Sequence, residues 1–391
     1  MSTSESLASV LDAVRDLVPT LRNNGAEAER NGWIPDENIA LQEKAGVFRM
    51  AVPARFGGLD LPAADKVRVL TEIARGCGST GWVSMVWVHS AWTVTLFPDK
   101  AQEEVFASGS VRVSSAFAPT GKLTRTEGGY LLNGRWAFNT GIKGADWNLA
   151  AAMVENPDGS HGELMALVPV GDLSIVDDWD VVAAGGTGSA TSVAEDVFVP
   201  EHRALDFEHA MSNTTPGRSN GGADGRDYGL MSLVMAEVSA VFVGMARGAY
   251  ELFLERLPGR GITYTSWTDQ SEHPLTHIQV ATAKNKIDAA ESLSSLWLTP
   301  IQERADAGEQ LSLDEKSIVR GQTTFAAQLA KEAVELLHTA SGASVIRRSV
   351  PFQRFHRDIQ GMSLHALVQF NANMELQGRV LLGKDPDTVF I

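Results

Sequence analysis

The spacing of apolar residues changes twice along this chain, and the changes divide the sequence into three blocks. Apolar side chains recur every three or four positions at first, then in short alternating or β-branched runs, then at helical spacing again. In a helix with one buried face the apolar residues recur every three or four positions, and in a half-buried strand they recur every second position. The pattern therefore predicts an α+β, mostly α protein. We expect an N-terminal helical domain over 1–112, a central β-barrel domain over 113–225 that ends in a glycine-rich lid, and a C-terminal helical bundle over 226–391.

The first block predicts several helices of different character. An N-terminal amphipathic helix carries its apolar residues on one face. A second helix starts at Pro35-Asp36, and a third covers 64–75. The segment 79–97 is nearly uncharged, which is typical of a helix that is buried on all sides. The apolar face of the first helix consists of Leu7, Val10, Leu11, Val14, Leu17, Val18 and Leu21.

The middle block has the signature of short strands joined by tight turns. Gly128-Gly129 and Asn133-Gly134 are typical hairpin turn residues, and they flank a run of apolar residues. Strands at this spacing favour a small barrel or sandwich. The polar, glycine-rich segment 206–228 predicts a flexible connection or lid. The alanine-rich remainder predicts four or five long helices in a bundle.

The composition excludes several classes of function. A net charge of -15 and a pI near 5.1 argue against a nucleic-acid partner, because phosphate binding needs clustered Lys and Arg. We expect no membrane segment, because an uninterrupted apolar run of roughly 18 residues is lacking. The first residues lack the basic and apolar regions of a signal peptide, so we expect a cytoplasmic protein.

The cysteine and histidine content predicts neither disulfides nor a metal. Cys77 is the single cysteine of the sequence. The histidines are spread along the chain without the tight spacing typical of metal ligands, so we expect no metal. They include His161, His202, His273, His277, His356 and His365.

Several motifs follow one another in a recognisable order. Pro53-Ala-Arg-Phe-Gly-Gly resembles a loop of the acyl-CoA dehydrogenases. The segments 133–141, 145–147, 179–189 and 195–203 resemble the strand and loop motifs of the monooxygenases built on the same fold. The chain is similar to the oxygenase components of two-component flavin monooxygenases. These include 4-hydroxyphenylacetate and hydroxysteroid ring hydroxylases, dibenzothiophene monooxygenase, and hydroxylases of indole and polyketide natural products.

The segment after Arg357-Asp358 separates the two branches of this family. In many acyl-CoA dehydrogenases it delivers a glutamate, the base that removes the α-proton of the thioester. Here that place falls on Ala366, beside His365. The resemblance therefore implies an oxygenase that takes reduced flavin (FADH2 or FMNH2) from a separate NAD(P)H–flavin reductase. It would use O2, through a C4a-hydroperoxyflavin, to hydroxylate a phenolic, polyketide or indole-type aromatic substrate.

The same resemblance implies which residues face the flavin ring. Thr140 takes the place of a family serine and could hydrogen-bond flavin N5, although a threonine that caps a hairpin is the alternative. A loop ending the first strand would offer hydroxyls and amides to the pyrimidine edge of the ring. The implied cofactor-binding residues at this end are Ser114, Ser115, Phe117, Thr120, Phe138, Asn139 and Thr140.

Two histidines are candidates for proton transfer. His365 would act as acid or base, because imidazole titrates near neutral pH; the alternative is a helix histidine bonded to a backbone carbonyl. His89 is either a donor on the peroxide side or a satisfied core residue. Asp358 is expected to hold its segment by pairing with Arg357 or a helix end. Three tryptophans of the same helix, Trp82, Trp87 and Trp92, would line an aromatic pocket or the core.

Two segments would bind the phosphate and adenine side of the cofactor. In the family they reach the flavin of a neighbouring subunit, which implies a homotetramer or a dimer. The residues at issue are Ser266, Gln279, Ser341 and Gly342. An N-cap and a C-cap glycine are equally compatible with these two segments.

Two rival functions stay open at this point. The first is an acyl-CoA dehydrogenase with Glu237 as its base, because some members carry the base on the first helix of the C-terminal bundle. A pairing of Glu237 with Arg247 or Lys284 would explain this carboxylate structurally. The second is a non-catalytic helical scaffold, which would bind no flavin.

Overall fold

The computed structural model describes residues 3–156, 158–220, 226–388 and 390–391 and has the predicted order of helices, sheet and helices. The predicted second, third and fourth helices are all present. Their bounds differ by a few residues, since the fourth helix ends at Val94 and not at Phe97. The first block contains α1 (Thr3–Asn31), α2 (Asp36–Lys44), α3 (Ala63–Gly76), α4 (Gly78–Val94) and α5 (Asp99–Val105).

Helix α4 runs through the interior of the molecule. Every one of its residues is buried apart from Val86, which is half-buried. This confirms the prediction of a helix without a polar face. It packs against α3 and α7 on one side and against β1 on the other. A helix in this position can carry side chains to both the bundle and the sheet.

The middle block forms one seven-stranded sheet with the order β5-β6-β2-β1-β3-β4-β7. Strands β1 and β3 are parallel, and the other pairs are antiparallel. The sheet has its own core, in which Leu123, Trp136 and Val154 are buried. The strands are β1 (Val113–Thr126), β2 (Gly129–Trp136), β3 (Trp147–Glu155), β4 (His161–Pro169), β5 (Ser174–Val176), β6 (Thr191–Pro200) and β7 (Ala204–Asp206).

Two predicted turns of the sheet are in fact inside strands. The segment 114–121 does not end a strand, because β1 continues through it with an irregularity between Ala116 and Gly121. Gly134 lies within β2. A Cβ on Gly134 would lie 2.6 Å from Gly121 Cα, and one on Gly121 would lie 2.2 Å from the ring of Trp136. These glycines allow β1 and β2 to approach each other beneath the ring of Trp136. The residue type alone does not distinguish a glycine in such a close contact from a glycine in a hairpin turn.

The last block is a helical bundle around α7. Helix α7 is long and apolar enough to cross a membrane, but 94% of its most apolar stretch is buried inside the protein, as expected for a core helix. It packs against α3, α8 and α10. The helices are α6 (Phe207–Ser212), α7 (Leu230–Glu255), α8 (Pro274–Leu296), α9 (Leu298–Asp306), α10 (Leu313–Ala340), α11 (Phe352–Met362) and α12 (Phe370–Leu381).

The described part of the connection between sheet and bundle contains a helix and fixed side-chain contacts. Helix α6 forms within the segment that the glycine content predicted to be a flexible lid. Beyond it, Arg218 donates to the carbonyl of Thr95 (2.7 Å) and to the carboxylate of Asp227 (2.5 Å). Residues 221–225 of the predicted lid lie outside the described residues. The predicted domain boundary at 225 lies there too.

Candidate active site

Helix α4 presents one face along which the candidate residues meet. Trp82, Val86 and His89 are four and three residues apart, so they share a face, and the outer two are about 10 Å apart along the axis. Val86 is half-buried, so the accessible part of this face lies between Trp82 and His89. On the sheet side, the Ser90 hydroxyl donates to Ser115 Oγ at 2.9 Å. Trp87 Nε1 donates to the carbonyl of Gly141 at 3.2 Å.

Thr140 is the first member of a chain of hydroxyl groups. Its Oγ1 lies 2.8 Å from Ser189 Oγ, which lies 2.8 Å from Thr187 Oγ1, and Thr187 donates to the carbonyl of Ala184. A carbonyl only accepts, so the single proton of Thr187 is used there. Ser189 must then donate to Thr187, and Thr140 to Ser189. Both lone pairs of the Thr140 oxygen therefore stay available to accept from an outside N–H donor.

Ser114 and Asn139 belong to a buried polar cluster at the end of the sheet. Ser114 Oγ and Asn139 Nδ2 each lie 2.8 Å from Asn148 Oδ1, and Asn139 also donates to Ser192. Asn139 Oδ1 is buried and has no hydrogen-bond partner among the described residues. This cluster holds the loop that carries Thr140 in place. The predicted contact of Ser114 and Asn139 with a flavin stays a prediction.

The other predicted ring-binding residues differ in exposure. Phe117 is half-buried against the main core. Phe138 is 75% exposed with a positive φ of 58°, and its ring meets Trp179 edge to face at 5.7 Å. Such an exposed aromatic pair beside Thr140 can cover the edge of a planar ligand. Thr120 is exposed and donates to the carbonyl of Arg135 on the neighbouring strand, so its observed contact is within the sheet.

His365 lies in the turn between α11 and α12, not in a helix as the alternative interpretation had it. Its ring is exposed on one side and meets Trp82 edge to face at 5.5 Å. Its Nδ1 accepts the backbone N–H of Leu367 at 3.2 Å. Desolvation by the surrounding protein lowers the pKa of His365, so the ring is neutral at neutral pH. A neutral ring that accepts at Nδ1 carries its proton on Nε2 and donates there.

His89 has the opposite arrangement. Its Nδ1 lies 2.9 Å from the carboxylate of Glu237 on α7, and both side chains are buried. A carboxylate accepts, so Nδ1 carries the proton and the Nε2 of the neutral ring is an acceptor. This Nε2 is buried without a hydrogen-bond partner in the part of the chain that the structure describes. The prediction that Glu237 pairs with Arg247 or Lys284 is wrong, because these cations contact Glu72 and Asp288.

Lys66 was not singled out from the sequence, yet it completes this cluster. Its Nζ lies 3.5 Å from the second carboxylate oxygen of Glu237 and 5.2 Å from the centre of the Tyr228 ring. Desolvation lowers the pKa of Lys66, and the charge of Glu237 opposes that effect. A lysine in an amphipathic helix normally lies on the solvent-exposed face. The sequence alone therefore does not predict that Lys66 is buried beside Glu237.

The three tryptophans of α4 divide between core and site. Trp87 packs edge to face with Trp33 and Phe48, so it is a core residue that also anchors the Gly141 carbonyl. Trp82 contacts His365. Trp92 lies 5.6 Å from the ring of His89, and its indole N–H donates to the carbonyl of Arg226.

The predicted phosphate and adenine side lies at the ends of α7 and α10. Ser341 caps α10 and donates to the carbonyl of Leu337, which agrees with the C-cap interpretation, and Gly342 follows with a positive φ of 64°. The guanidinium of Arg260 donates to the carbonyl of Ser341. Arg260, the cation at this position, lies in no motif that would single it out from the sequence. The two remaining residues are Ser266, exposed in the loop before α8, and Gln279, half-buried on α8.

Asp358 connects α11 to the loop before β6. Of the two expected partners, Arg357 and a helix end, it binds the helix end, because Ala184 precedes the 3₁₀ helix Gly185–Thr187. Its Oδ1 accepts the backbone N–H of Ala184 at 2.7 Å, and Ser79 donates to Oδ2 at 3.4 Å. Arg357 instead contacts Glu29 at 2.6 Å. Burial raises the pKa of Asp358 to about 6.

One histidine cluster has donor atoms close enough to share a metal ion. Glu335, His338 and His356 have ligand atoms within 4.8 Å of one another. His356 already bonds Glu335 at 2.7 Å, and the two imidazoles stack face to face at 3.7 Å. Stacked rings point their nitrogens side by side, whereas a shared metal needs them to converge. The prediction of no metal stays a prediction.

Comparison with known proteins identifies the family. A family model described as acyl-CoA dehydrogenase, N-terminal domain matches residues 4–112, and one described as acyl-CoA dehydrogenase, C-terminal domain matches residues 236–370. The chain is 35% identical to the flavin-dependent monooxygenase oxygenase subunit HsaA of Rhodococcus jostii, over 90% of this chain and 92% of that protein. The chain belongs to the flavin-dependent monooxygenases built on the acyl-CoA dehydrogenase fold.

Two further proteins to which the chain is similar bear on the cofactor. The oxygenase component of an FADH2-dependent resorcinol hydroxylase of a Rhizobium species is 29% identical, over 95% of this chain and 94% of that protein. The solved structure of XiaF from a Streptomyces species, in complex with FADH2 and glycerol, superposes with a TM-score of 0.92. It is 29% identical and covers 99% of this chain and 98% of that one. The predicted family and fold are thus confirmed.

Proposed function

We propose that this chain is the oxygenase component of a two-component system that hydroxylates an aromatic ring. The observation that carries the proposal is the opposite bonding of two imidazoles on either side of Val86: Nδ1 of His89 faces a carboxylate, and Nδ1 of His365 faces a backbone N–H. His89 offers an acceptor at Nε2, and His365 offers a donor at Nε2. A hydroxylated aromatic ring between them would meet one group that accepts its phenolic proton and one that donates a hydrogen bond.

The residues present fit a reduced flavin. Thr140 has an acceptor lone pair left by its hydroxyl chain, and N5 of a reduced flavin carries a hydrogen to donate, whereas N5 of the oxidised ring does not. Two relatives are named for FADH2, and FADH2 or FMNH2 is the cofactor we propose here. When bound, the reduced flavin activates O2 and supplies the oxygen atom. The residues of this chain bind the ring, orient the substrate and exclude water.

The substrate is an aromatic small molecule of phenolic, polyketide or indole type. The relatives include hydroxylases of resorcinol and of p-hydroxyphenylacetate, both of which are phenols. A phenolic hydroxyl can also donate to the buried Nε2 of His89, which has no partner among the described residues. We therefore favour a phenol over an indole as the first substrate to test.

The proposed system has further parts. A separate NAD(P)H–flavin reductase supplies the reduced flavin, as expected for an oxygenase component. Ser341, Gly342 and Arg260 form an edge suited to the phosphates of a flavin from another subunit, in a homotetramer or a dimer. We place the protein in the cytoplasm, where its one free cysteine, Cys77, stays reduced.

The dehydrogenase alternative receives no support from the site. Its base would be Glu237, and this carboxylate is already engaged by His89 and Lys66 in the interior. The named relatives are monooxygenases.

The proposed function is tested by mixing the purified protein with photoreduced FAD or FMN, a panel of phenols and isotopically labelled O2. The expected result is one labelled oxygen atom in a ring-hydroxylated product. Reduced flavin that is oxidised with release of hydrogen peroxide only, for every phenol, polyketide and indole tried, would contradict the proposal. Oxidation of an acyl-CoA thioester would support the alternative function, an acyl-CoA dehydrogenase.

A further inference from the structure

Three helices bring His89, Glu237 and Lys66 together in the interior. They lie on α4, α7 and α3, and their exposed fractions are 2%, 0% and 1%. A buried charge is costly unless it is paired, so a carboxylate and an ammonium at this depth need a reason. Replacing a buried ion pair with apolar residues often costs no stability, so stability alone does not explain the pair.

We infer that Glu237, held by Lys66, is a positioning residue that fixes His89 as the proton acceptor of the site. This inference rests on the proposed function. The Glu237 carboxylate binds Nδ1–H, and the other ring nitrogen, Nε2, is left without a partner among the described residues. Without that carboxylate the neutral ring could place its proton on either nitrogen, and the Nε2–H form cannot accept a proton.

The proton transfer balances without any further reagent. The O–H bond of the phenol breaks, its electron pair stays on oxygen, and an N–H bond forms at His89 Nε2. The imidazolium that results faces the negative charge of Glu237, which stabilises it. The phenolate ring is richer in electrons at its ortho carbons and is thus the better acceptor of an oxygen atom. Nothing is oxidised or reduced in this step.

Lys66 fixes the orientation of the Glu237 carboxylate. Its Nζ lies 3.5 Å from Oε1 of Glu237, which leaves Oε2 to accept from Nδ1 of His89. Other groups also face it: Tyr228 contacts Lys66, while Arg226 lowers and Asp60 raises the pKa of Lys66 by their charges. Arg226 is itself bonded to Asp60 at 2.9 Å, so those two charges largely compensate each other.

The test uses two measurements on the whole protein. The first is the tautomer of His89, read from its ring-nitrogen resonances in the flavin-free protein. The second is the fraction of bound 4-nitrophenol in its coloured phenolate form, with FAD reduced under anaerobic conditions. We expect the wild type to hold His89 with the proton on Nδ1 and to ionise the probe. In Glu237→Gln we expect a mixture of tautomers, a smaller phenolate fraction, and a kcat for phenol hydroxylation lowered roughly 100-fold.

A matched control and a second variant keep the inference falsifiable. Glu104→Gln removes a carboxylate from another His–Glu pair, in which His202 Nε2 lies 2.9 Å from Glu104, and should change neither measurement. If Glu237→Gln does not fold because Lys66 is left unpaired, Lys66→Met/Glu237→Gln removes both charges. A folded double variant that lacks the tautomer preference supports the inference. A variant of either kind that retains the wild-type tautomer and phenolate fraction overturns it.

Failure of the proposed function would look different. Suppose that the wild type hydroxylates no phenol but that Glu237→Gln changes the tautomer of His89. This pair of results overturns the proposed reaction and supports the positioning of His89 by Glu237. A wild type that hydroxylates phenols, with a Glu237→Gln variant unchanged in both measurements, overturns only the inference.

Discussion

Asp358 Oδ1 accepts a hydrogen bond of 2.7 Å from the backbone N–H of Ala184, which joins α11 to the loop that precedes β6. That loop also contains Thr187 and Ser189, the partners in the hydroxyl chain of Thr140. A helix of the bundle thus supports, through one carboxyl group, the part of the sheet that faces the proposed flavin.

The raised pKa of Asp358 predicts a stability that falls as the pH rises. Burial raises this pKa from 3.8 to about 6, so the folded protein binds the proton more tightly than the unfolded chain. The stability gained in this way is fully present below the unfolded pKa and is lost as the pH passes the folded pKa. We expect the free energy of unfolding to drop by about 2 to 3 kcal/mol across this window, relative to Asp358→Asn.

Urea unfolding of the wild type and Asp358→Asn at several pH values measures that difference. Asparagine keeps an oxygen for Ala184 but has no charge to titrate. Asp358→Ala, the control, removes the acceptor and should lower stability at every pH by about 1 to 3 kcal/mol. Parallel curves for the wild type and Asp358→Asn would contradict the prediction.

Gly141 and Gly128 form a matched pair for testing the Thr140 loop. Both have a positive φ, 74° and 76°, which a side chain adopts only with strain. A Cβ on Gly141 would lie 2.6 Å from Trp87 Nε1, whereas one on Gly128 would have no atom of the described residues within 4 Å. We expect Gly128→Ala to cost about 1 kcal/mol. Gly141→Ala should cost roughly 1 to 3 kcal/mol more and weaken flavin binding; equal losses in thermal unfolding would refute the clash.

The hydroxyl chain of Thr140 predicts a preference for reduced flavin. Thr140→Val removes the acceptor and should weaken the binding of reduced flavin by about tenfold, with little change for oxidised flavin. Thr140→Ser keeps the hydroxyl and should retain the preference. The measurement is anaerobic titration with each redox form. A similar loss of affinity for both forms would mean that Thr140 has only a structural role.

His365 is predicted to act as a hydrogen-bond donor and not as a base. Its lowered pKa keeps the ring neutral, and Nδ1 is occupied by the N–H of Leu367. His365→Ala should lower coupled hydroxylation roughly 100-fold and release hydrogen peroxide instead. His365→Gln, which retains an N–H near Nε2, should lose less. His356→Ala, at the pair with Glu335, is the control. Full coupling in His365→Ala would show that the donor is elsewhere.

The sequence was sufficient for the fold and for much of the candidate site. Periodicity located α3 and α4 within a few residues, and the ordered motifs identified the family. It also singled out His365 as acid or base and His89 as a peroxide-side donor or a core residue, and these roles stay predictions. The tautomers depend on Glu237 and on the N–H of Leu367, and neither contact can be inferred from the spacing of histidines.

What the sequence could not provide are contacts between distant segments. Lys66 and Glu237 are far apart in the chain, and only the packing of α3 on α7 brings them together. Asp358 was expected to pair with Arg357 or with a helix end, and the structure shows the second, at the N-terminus of the 3₁₀ helix Gly185–Thr187. Gly121 and Gly134 have the residue type of turns, yet they lie under the ring of Trp136. In each case tertiary packing decides among options that are locally equivalent.

The interior position of α4 has a consequence for how such an enzyme can change its substrate. Because sixteen of the seventeen residues of α4 are buried, almost any larger or smaller side chain there would disturb the core. The turn that carries His365 is different, since Leu364 and Ala366 beside it are exposed. A library randomised at Leu364 and Ala366 would sample new ring sizes and substituents while expression and folding stay close to those of the parent enzyme.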